Sequence, residues 1–298
     1  MKIRFDQSAP YEVEEVDAPF AKPDGQELLA RIYRPTGDAD APQAALVDGH
    51  GGAWSRGDHL TGALHCRALA ASGLVVVSLG FRQGSAAKHP AASADVAAGV
   101  RYVRAHARRL GVDSRRVGIV GSSSGGQLAL LAALKPGAPE FAGTPIVAPD
   151  GALDAAPGDD ESVAFVLALY PVADPLARFR YVVGRQNDGS GFDAARLIAA
   201  HHGYFLSEAQ MAEASVTRIV AAREARILPP VWLAHPGLDD NVPAAITDAF
   251  VQAYQQAAGA IERVHFPGAR HGFIGQASAD NDKAIALMRD FIGHQLAR

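Results

Sequence analysis

The sequence predicts an α/β fold, in which a mainly parallel, doubly wound sheet carries helices on both faces and a lid is inserted late in the chain. Short apolar runs alternate with helix-length segments, as is typical of such folds. The runs 74–77 and 163–169 are continuously apolar, as in central strands that are covered on both sides. With 298 residues and 48% apolar content, the chain can bury a large core as one domain, 1–298.

The elements can be placed in order along the chain. Apolar and β-branched runs predict strands at 27–33, 44–47, 74–79, 117–120, 163–169, 231–234 and 261–266. Segments long enough to be crossover helices lie at 62–72, 91–110, 125–134, 244–258 and 279–296. We interpret residues 1–25, which contain three prolines, as a peripheral N-terminal arm.

One long stretch, 174–228, breaks the alternation because it contains no convincing strand. Insertions of this size between two strands often cover a site, so we expect a lid here. Its aromatic side chains could line an apolar substrate pocket, or they could equally form the lid's own small core. The pocket candidates, including one tryptophan from outside the lid, are Trp54, Phe179, Tyr181, Tyr204 and Phe205.

The charge pattern excludes some partners. The net charge of −4 comes from 32 acidic and 28 basic residues, without long blocks of one sign. This pattern indicates no basic patch that would bind nucleic acid or an anionic membrane, so we expect a small, roughly neutral molecule as partner. The first residues lack the apolar core of a signal peptide, and no apolar run is long enough to cross a bilayer. We therefore expect a cytoplasmic protein, whose oligomeric state stays open, a homo-oligomer included.

Metal and disulfide chemistry have little support in the sequence. The single cysteine, Cys66, excludes a disulfide within the chain and any cysteine-rich metal site, and its apolar helical run favours a buried structural role. His201, His202 and His235 have no carboxylate or cysteine at ligand spacing. We expect neither a metal nor a cofactor.

A glycine-flanked serine supplies a candidate nucleophile. Residues 121–125 read Gly-Ser-Ser-Ser-Gly, between a strand signature and a good helix former. Only Ser123 has glycine two positions before and two positions after it, where side chains would crowd a sharp turn. The same turn would place the amide of Ser124 at a helix N-terminus, which favours an oxyanion. The alternative, a phosphate-binding turn, lacks the lysine that a P-loop needs.

A second glycine-rich loop follows the strand 44–47. It reads Asp-Gly-His-Gly-Gly-Ala-Trp from Asp48 onwards. Here the chain resembles the α/β-hydrolase superfamily, in particular the hormone-sensitive-lipase-like esterases, the bacterial feruloyl- and acetyl-xylan-esterase-like carboxylesterases and the kynurenine formamidases. The resemblance implies an α/β-hydrolase fold and a loop in which His50 orients the turn rather than moving protons. It also implies that backbone amides form an oxyanion hole, from Gly51, Gly52, Ala53 and Ser124.

The acid of a triad should follow the serine in this fold, because its members stand after successive strands. Residues 235–243 resemble the superfamily element in which an aspartate stands three positions before Val-Pro, which makes Asp239 the candidate. Asp240 remains an alternative, although it also suits the cap of the next helix. We interpret Asp95, in the predicted helix 91–110, as a surface or capping carboxylate.

The base should follow the acid, which leaves His265, His271 and His294. His265 lies inside the last predicted strand and His294 in the terminal helix. His271 lies in a loop just after that strand and resembles the superfamily's His-Gly-Phe element, so it is the candidate base.

These motifs together predict a serine hydrolase that cleaves a carboxylic ester of a small or aromatic substrate through an acyl-enzyme, without a cofactor. An amide hydrolase of the arylformamidase type would share the same loop and triad. A hydrolase-fold protein that only binds its ligand is a third reading.

Overall fold

A computed structural model describes residues 2–147 and 161–298. The strands are β1 (Lys2–Ile3), β2 (Val13–Ala21), β3 (Leu28–Pro35), β4 (Asp38–Ala39), β5 (Gln43–Gly49), β6 (Val75–Leu79), β7 (Val112–Ser122), β8 (Val166–Leu169), β9 (Val231–Pro236) and β10 (Ile261–Phe266). The α-helices are α1 (Ala63–Ala70), α2 (Ala91–Ala105), α3 (Ala107–Leu110), α4 (Ser124–Leu134), α5 (Pro175–Gly184), α6 (Ala194–Tyr204), α7 (Glu208–Glu213), α8 (Val216–Ala221), α9 (Ala244–Gln256) and α10 (Ala279–Leu296).

The main sheet has eight strands in the order β10-β9-β8-β7-β5-β6-β3-β2. The pairs from β10 to β6 are parallel, and β3 pairs antiparallel with both β6 and β2. Each predicted strand overlaps one of these strands, so the predicted α/β class is confirmed. The predicted helix 91–110 is divided into α2 and α3.

The two faces of the sheet bury two different cores. Along β6 and its neighbours successive side chains point to opposite faces, so Val75 and Val77 join one core and Val76 joins the other. Helices α2, α4 and α9 cover the first face, while α1 and α10 cover the second. Both faces are therefore apolar, which explains the continuous apolar runs in the sequence.

The N-terminal segment differs from the prediction. Residues 1–25 were expected to form a peripheral arm, but Val13–Ala21 is the edge strand β2, hydrogen-bonded along β3. The register of this pair shifts between Pro19 and Ala21, and an edge is where a strand tolerates proline. The strand was missed because it carries the exposed acidic residues Glu14 and Asp17, which weaken the apolar signal.

The expected lid region, 174–228, contains helices α5 to α8 between β8 and β9. The parallel strands have their carboxyl ends on the same side of the sheet, so the loops after β5, β7, β9 and β10 all begin there. In open α/β sheets, ligands bind at the carboxyl ends of the strands. Within the described residues, no helix has the length and apolar character to span a membrane.

Candidate active site

The turn between β7 and α4 holds Ser123 in a strained conformation. Its backbone has φ 53° and ψ −118°, which side-chain-bearing residues rarely adopt. The helix begins so close to the loop after β5 that a Cβ at Gly125 would overlap the carbonyl oxygens of Gly49 and His50. Glycine at this position is therefore a steric requirement, and the turn presents the Ser123 hydroxyl above the sheet edge.

Three predicted residues meet in one hydrogen-bonded chain. His271 Nε2 lies 2.8 Å from Ser123 Oγ, and His271 Nδ1 lies 2.8 Å from Asp239 Oδ2. The other oxygen of Asp239 accepts from the amides of Asn241, at 2.9 Å, and Val242, at 2.8 Å. These amides fix the carboxylate, which in turn fixes the imidazole. The structure thus brings Ser123, His271 and Asp239 together, and leaves Asp240 exposed.

The loop after β5 lies beside this serine. Gly52 and Ala53 both have positive φ, 124° and 54°, and a Cβ at Gly52 would overlap the carbonyl oxygen of Arg56. Their own amides donate to no other group among residues 2–147 and 161–298. The neighbouring Trp54 amide donates to Ser124 Oγ at 3.3 Å, which ties the loop to the start of α4.

His50 lies in the same loop but away from the reacting atoms. Its Nδ1 is 2.6 Å from the carbonyl oxygen of Gly51, and its ring stacks on Phe81 at 4.1 Å. Burial lowers the pKa of His50, so the imidazole stays neutral near pH 7. His50 thus contacts its own loop and Phe81, and it is hydrogen-bonded to none of Ser123, Asp239 and His271.

A cavity of about 400 Å³ opens over Ser123. This volume suits a small organic molecule. Its lining residues are Gly51, Gly52, Ala53, Arg56, Gly57, Thr61, His65, Ser122, Ser123, Tyr170, Arg178, Arg196, Leu197, Asn241, His271, Gly272 and Gly275. The Tyr170 ring packs edge-on against His271, with ring centroids 4.9 Å apart, and shields the imidazole from one side.

The aromatic residues that the sequence offered as pocket candidates lie elsewhere. None of Trp54, Phe179, Tyr181, Tyr204 and Phe205 is among the residues that line the cavity. Trp54 stacks on Tyr204 at 5.8 Å and meets Phe205 edge-on at 5.1 Å, so these rings form a core between the loop and the helices. Phe179 belongs to the same buried cluster, so these rings take the second role that the sequence left open, that of a core. Tyr181 lies apart from it, partly buried, and its hydroxyl donates to the carbonyl oxygen of Asp240.

Asp95 also differs from its prediction. It was expected to be a surface or capping carboxylate, yet it is fully buried. Arg82 donates to it from both its backbone amide and its guanidinium, at 2.8 Å each, and Thr144 Oγ1 lies 2.7 Å away. This carboxylate joins α2 to the segment after β6 and does not border the cavity.

Sequence reasoning did not single out Arg178 as a residue of the cavity. Arg178, on α5, is 1% exposed, and its Nη2 donates to Asn241 Oδ1 at 2.6 Å. In the sequence Arg178 is indistinguishable from Arg180, two positions later, whose side chain is exposed and pairs with Glu208. The two arginines differ only in the side of α5 on which they lie, because Arg178 borders the cavity and Arg180 is exposed to solvent.

Among the described residues, one group could in principle hold a metal ion: ligand atoms of Asp48, His65 and Cys66 lie within 4.8 Å of one another. However, the Asp48 carboxylate already accepts from His65 Nε2, at 3.0 Å, and from Ser78 Oγ, at 2.8 Å. Burial raises the pKa of the Cys66 thiol well above its ordinary value, and Asp48's charge adds to this, so the thiol is a poor ligand. The group fits a structural role better than a metal.

Comparisons with known proteins agree with this architecture. The family model BD-FAE matches residues 31–254. The ethyl acetate hydrolase of Pseudomonas putida is 26% identical over 280 residues, which cover 92% of this chain and 80% of that enzyme. Esterase LipC of Mycobacterium tuberculosis is 25% identical over 266 residues, covering 87% of this chain but 61% of LipC.

Solved esterase structures share the fold. A Pyrobaculum calidifontis esterase superposes with a TM-score of 0.72 at 22% identity, covering 96% of this chain and 86% of its own. Butyrate-bound esterase 2 of Thermogutta terrifontis gives a TM-score of 0.71 at 24% identity, covering 98% of this chain and 97% of its own. Because the family model spans well over half of the chain, the chain belongs to the BD-FAE family of α/β-hydrolases and is a hydrolase of the carboxylesterase class.

Proposed function

We propose that this protein cleaves small carboxylic esters through an acyl-enzyme on Ser123. The observation that carries the proposal is the hydrogen-bonded chain from Ser123 Oγ through His271 to Asp239, with 2.8 Å at each step. A serine hydroxyl is a weak nucleophile unless a base takes its proton as it attacks, and His271 Nε2 lies at the distance that this transfer needs.

The reaction has two halves. Ser123 Oγ attacks the ester carbonyl carbon while its proton passes to His271, and the imidazolium then protonates the leaving alkoxide. Water enters, gives a proton to the same imidazole and attacks the acyl carbon, so that the acid is released and Ser123 regains its proton. Asp239 holds the Nδ1 proton of His271 and stabilises the charged ring, but it does not itself change protonation state.

The oxyanion formed in each half needs hydrogen-bond donors that are already in position. The amides of Gly52 and Ala53, which donate to no other described group, and the amide of Ser124 at the start of α4 are proposed as these donors, with Gly51 shaping the loop. A single donor of this kind contributes about 3 to 4 kcal/mol of transition-state stabilisation. The buried, neutral His50 supports the loop without exchanging protons.

An ester is the preferred substrate over an amide. The relatives at 26% and 25% identity are named for ester hydrolysis, and one of them for ethyl acetate. The cavity of about 400 Å³ also suits a short ester. Comparing kcat/KM for p-nitrophenyl acetate with that for N-formyl aromatic amines tests this preference directly, since an arylformamidase would favour the amides.

The nucleophile is tested by Ser123→Ala. We expect folding to be retained and kcat for p-nitrophenyl acetate to fall by roughly 10⁴ to 10⁶-fold. A fluorophosphonate probe should label the wild type at Ser123, as located by mass spectrometry. The matched control is Ser122→Ala, the preceding serine, in which Ser123 should still be labelled. An active, labelled Ser123→Ala protein would refute the proposal.

A further inference from the structure

The side chain of Arg178 is a cation buried at the edge of the cavity, and no acidic side chain within residues 2–147 and 161–298 pairs with it. Within the same residues its guanidinium makes one hydrogen bond, from Nη2 to Asn241 Oδ1, at 2.6 Å. The two remaining nitrogens, Nε and Nη1, are buried and have no hydrogen-bond partner among the described residues. The centroid of the Trp54 ring lies 6.0 Å from the guanidinium carbon, so the ring offers a cation–π contact. This contact does not neutralise the charge or satisfy the N–H groups of Nε and Nη1 as an anion would.

This group remains charged at neutral pH. Burial, followed by the positive charge of Arg196, lowers the pKa of Arg178 to about 10, while Asp239 acts in the opposite direction. A pKa of about 10 is still well above 7, so the buried guanidinium carries its full charge. An ion held out of water in this way is costly unless a counter-ion and hydrogen bonds compensate.

The rest of the cavity has the same sign of charge. Arg56 and Arg196 also line it, and no aspartate or glutamate is among the described lining residues. Arg196 keeps its own surface partner, Asp193, at 3.1 Å. The cavity is therefore positive although the chain as a whole carries a charge of −4. Such a cleft concentrates anions regardless of the net charge of the protein.

From these observations we infer that the site takes esters that carry a second, free carboxylate, and that Arg178 is the specificity-determining residue that binds it. The inference rests on the proposed function. A guanidinium is a planar fork of donors that binds a carboxylate through two parallel N–H groups, either those of Nε and Nη2 or those of Nη1 and Nη2. Nη2 has a second hydrogen besides the one given to Asn241, so it and the unpartnered Nε or Nη1 would supply such a pair. Because Arg178 and Ser123 border one small cavity, the substrate should be a short half-ester. The overall charge predicted a small, roughly neutral substrate, whereas the charge of the cavity favours a small anion.

Two matched substrate pairs test the preference. Monoethyl succinate carries a free carboxylate on the acyl side of its ester, and in ethyl levulinate a methyl group replaces one oxygen of that carboxylate. Acetoxyacetate and acetoxyacetone differ in the same way on the alcohol side. Hydrolysis is measured by pH-stat at low salt. In at least one pair we expect kcat/KM of the anion to exceed kcat/KM of its neutral partner about 10- to 100-fold. Neutral members favoured in both pairs would overturn the inference.

Variants then assign the preference to Arg178. In Arg178→Met the anion-to-neutral ratio of kcat/KM should collapse at least tenfold, mainly through a higher KM for the anion. Arg178→Lys, which keeps the charge but loses the fork, should retain part of the ratio, and it serves alone if the methionine variant does not fold. The matched control is Arg180→Met on the same helix, with an exposed side chain that does not border the cavity, which should leave the ratio unchanged. A purely structural role of Arg178 would lower both members of a pair equally, which would contradict the inference.

The two proposals fail separately. If no ester of either pair is hydrolysed and the fluorophosphonate does not label Ser123, the proposed function is wrong. If the probe labels Ser123 and the neutral esters are hydrolysed as well as the anions, only the carboxylate preference is wrong.

Discussion

The two adjacent aspartates after β9 have different surroundings despite their identical chemistry. The carboxylate of Asp239 is 3% exposed and is held between His271 and two backbone amides. Asp240 is exposed, and its backbone oxygen accepts from the Tyr181 hydroxyl at 3.0 Å. A carboxylate orients an imidazole only if it is itself held in place, so the geometry favours Asp239.

We therefore expect Asp239→Asn to lower kcat for a p-nitrophenyl ester by roughly 10⁴-fold, because an amide stabilises the wrong tautomer of the imidazole and cannot support its charged form. The matched control, Asp240→Asn, should stay within about threefold of the wild type. Steady-state kinetics on both purified variants, with circular dichroism to verify folding, provide the measurement. A large loss in Asp240→Asn with an active Asp239→Asn would reverse the assignment of the acid.

The difference between predictable and unpredictable residues follows from where their constraints lie. Ser123 and His271 stand in short loops whose neighbouring glycines mark the turn, so local sequence suffices to locate them. Arg178 has no such signal, because its importance depends on which side chains surround it after folding. Asp95 was misread for the same reason, since its partner Arg82 is 13 positions away and nothing local marks the pair as buried.

At the scale of elements, a cluster of three polar side chains is buried beside the central strand β5. Asp48, near the end of β5, is fully buried and accepts hydrogen bonds from His65 on α1 and Ser78 on β6. Burial alone would raise the pKa of this carboxyl, but the charge and hydrogen bond of His65, with Ser78, outweigh it and lower the pKa. The cluster thus joins three elements directly beneath the loop that carries Gly51 to Ala53.

The lowered pKa predicts a pH-dependent contribution to stability. A carboxyl whose pKa is lower in the folded than in the unfolded state stabilises the fold above its unfolded pKa of about 4, and loses that contribution as pH falls through the folded value. Asp48→Asn should therefore lower the free energy of unfolding by about 1.5 to 3 kcal/mol at pH 7. The difference from the wild type should shrink as the pH is lowered below about 4. Urea unfolding at a series of pH values measures it, and a difference that grows towards acid would contradict the assigned direction.

At the scale of the whole molecule, helices α5 to α8 share a core with the sheet. Phe179, Tyr204, Phe205 and Met211 belong to the same apolar cluster as the buried residues of β6, α2 and α4. Gln127 strengthens this connection, because it accepts from the Trp54 indole at 3.0 Å and donates to the carbonyl of Ala214 at 2.9 Å. The helices over the site therefore contribute to global stability, and we expect them to unfold together with the sheet.

Phe205 and Leu206 test this view, since they are neighbours with opposite environments, 1% and 72% exposed. Phe205→Ala should lower the free energy of unfolding by about 3 to 5 kcal/mol, in a single transition that the sheet shares. Leu206→Ala should change it by less than about 0.5 kcal/mol. Because Phe205 does not line the cavity, the order of kcat/KM among esters of increasing acyl length should be the same in both variants. Urea unfolding and an ester panel measure the two effects, and a changed length preference with undiminished stability would mean that Phe205 belongs to the substrate pocket after all.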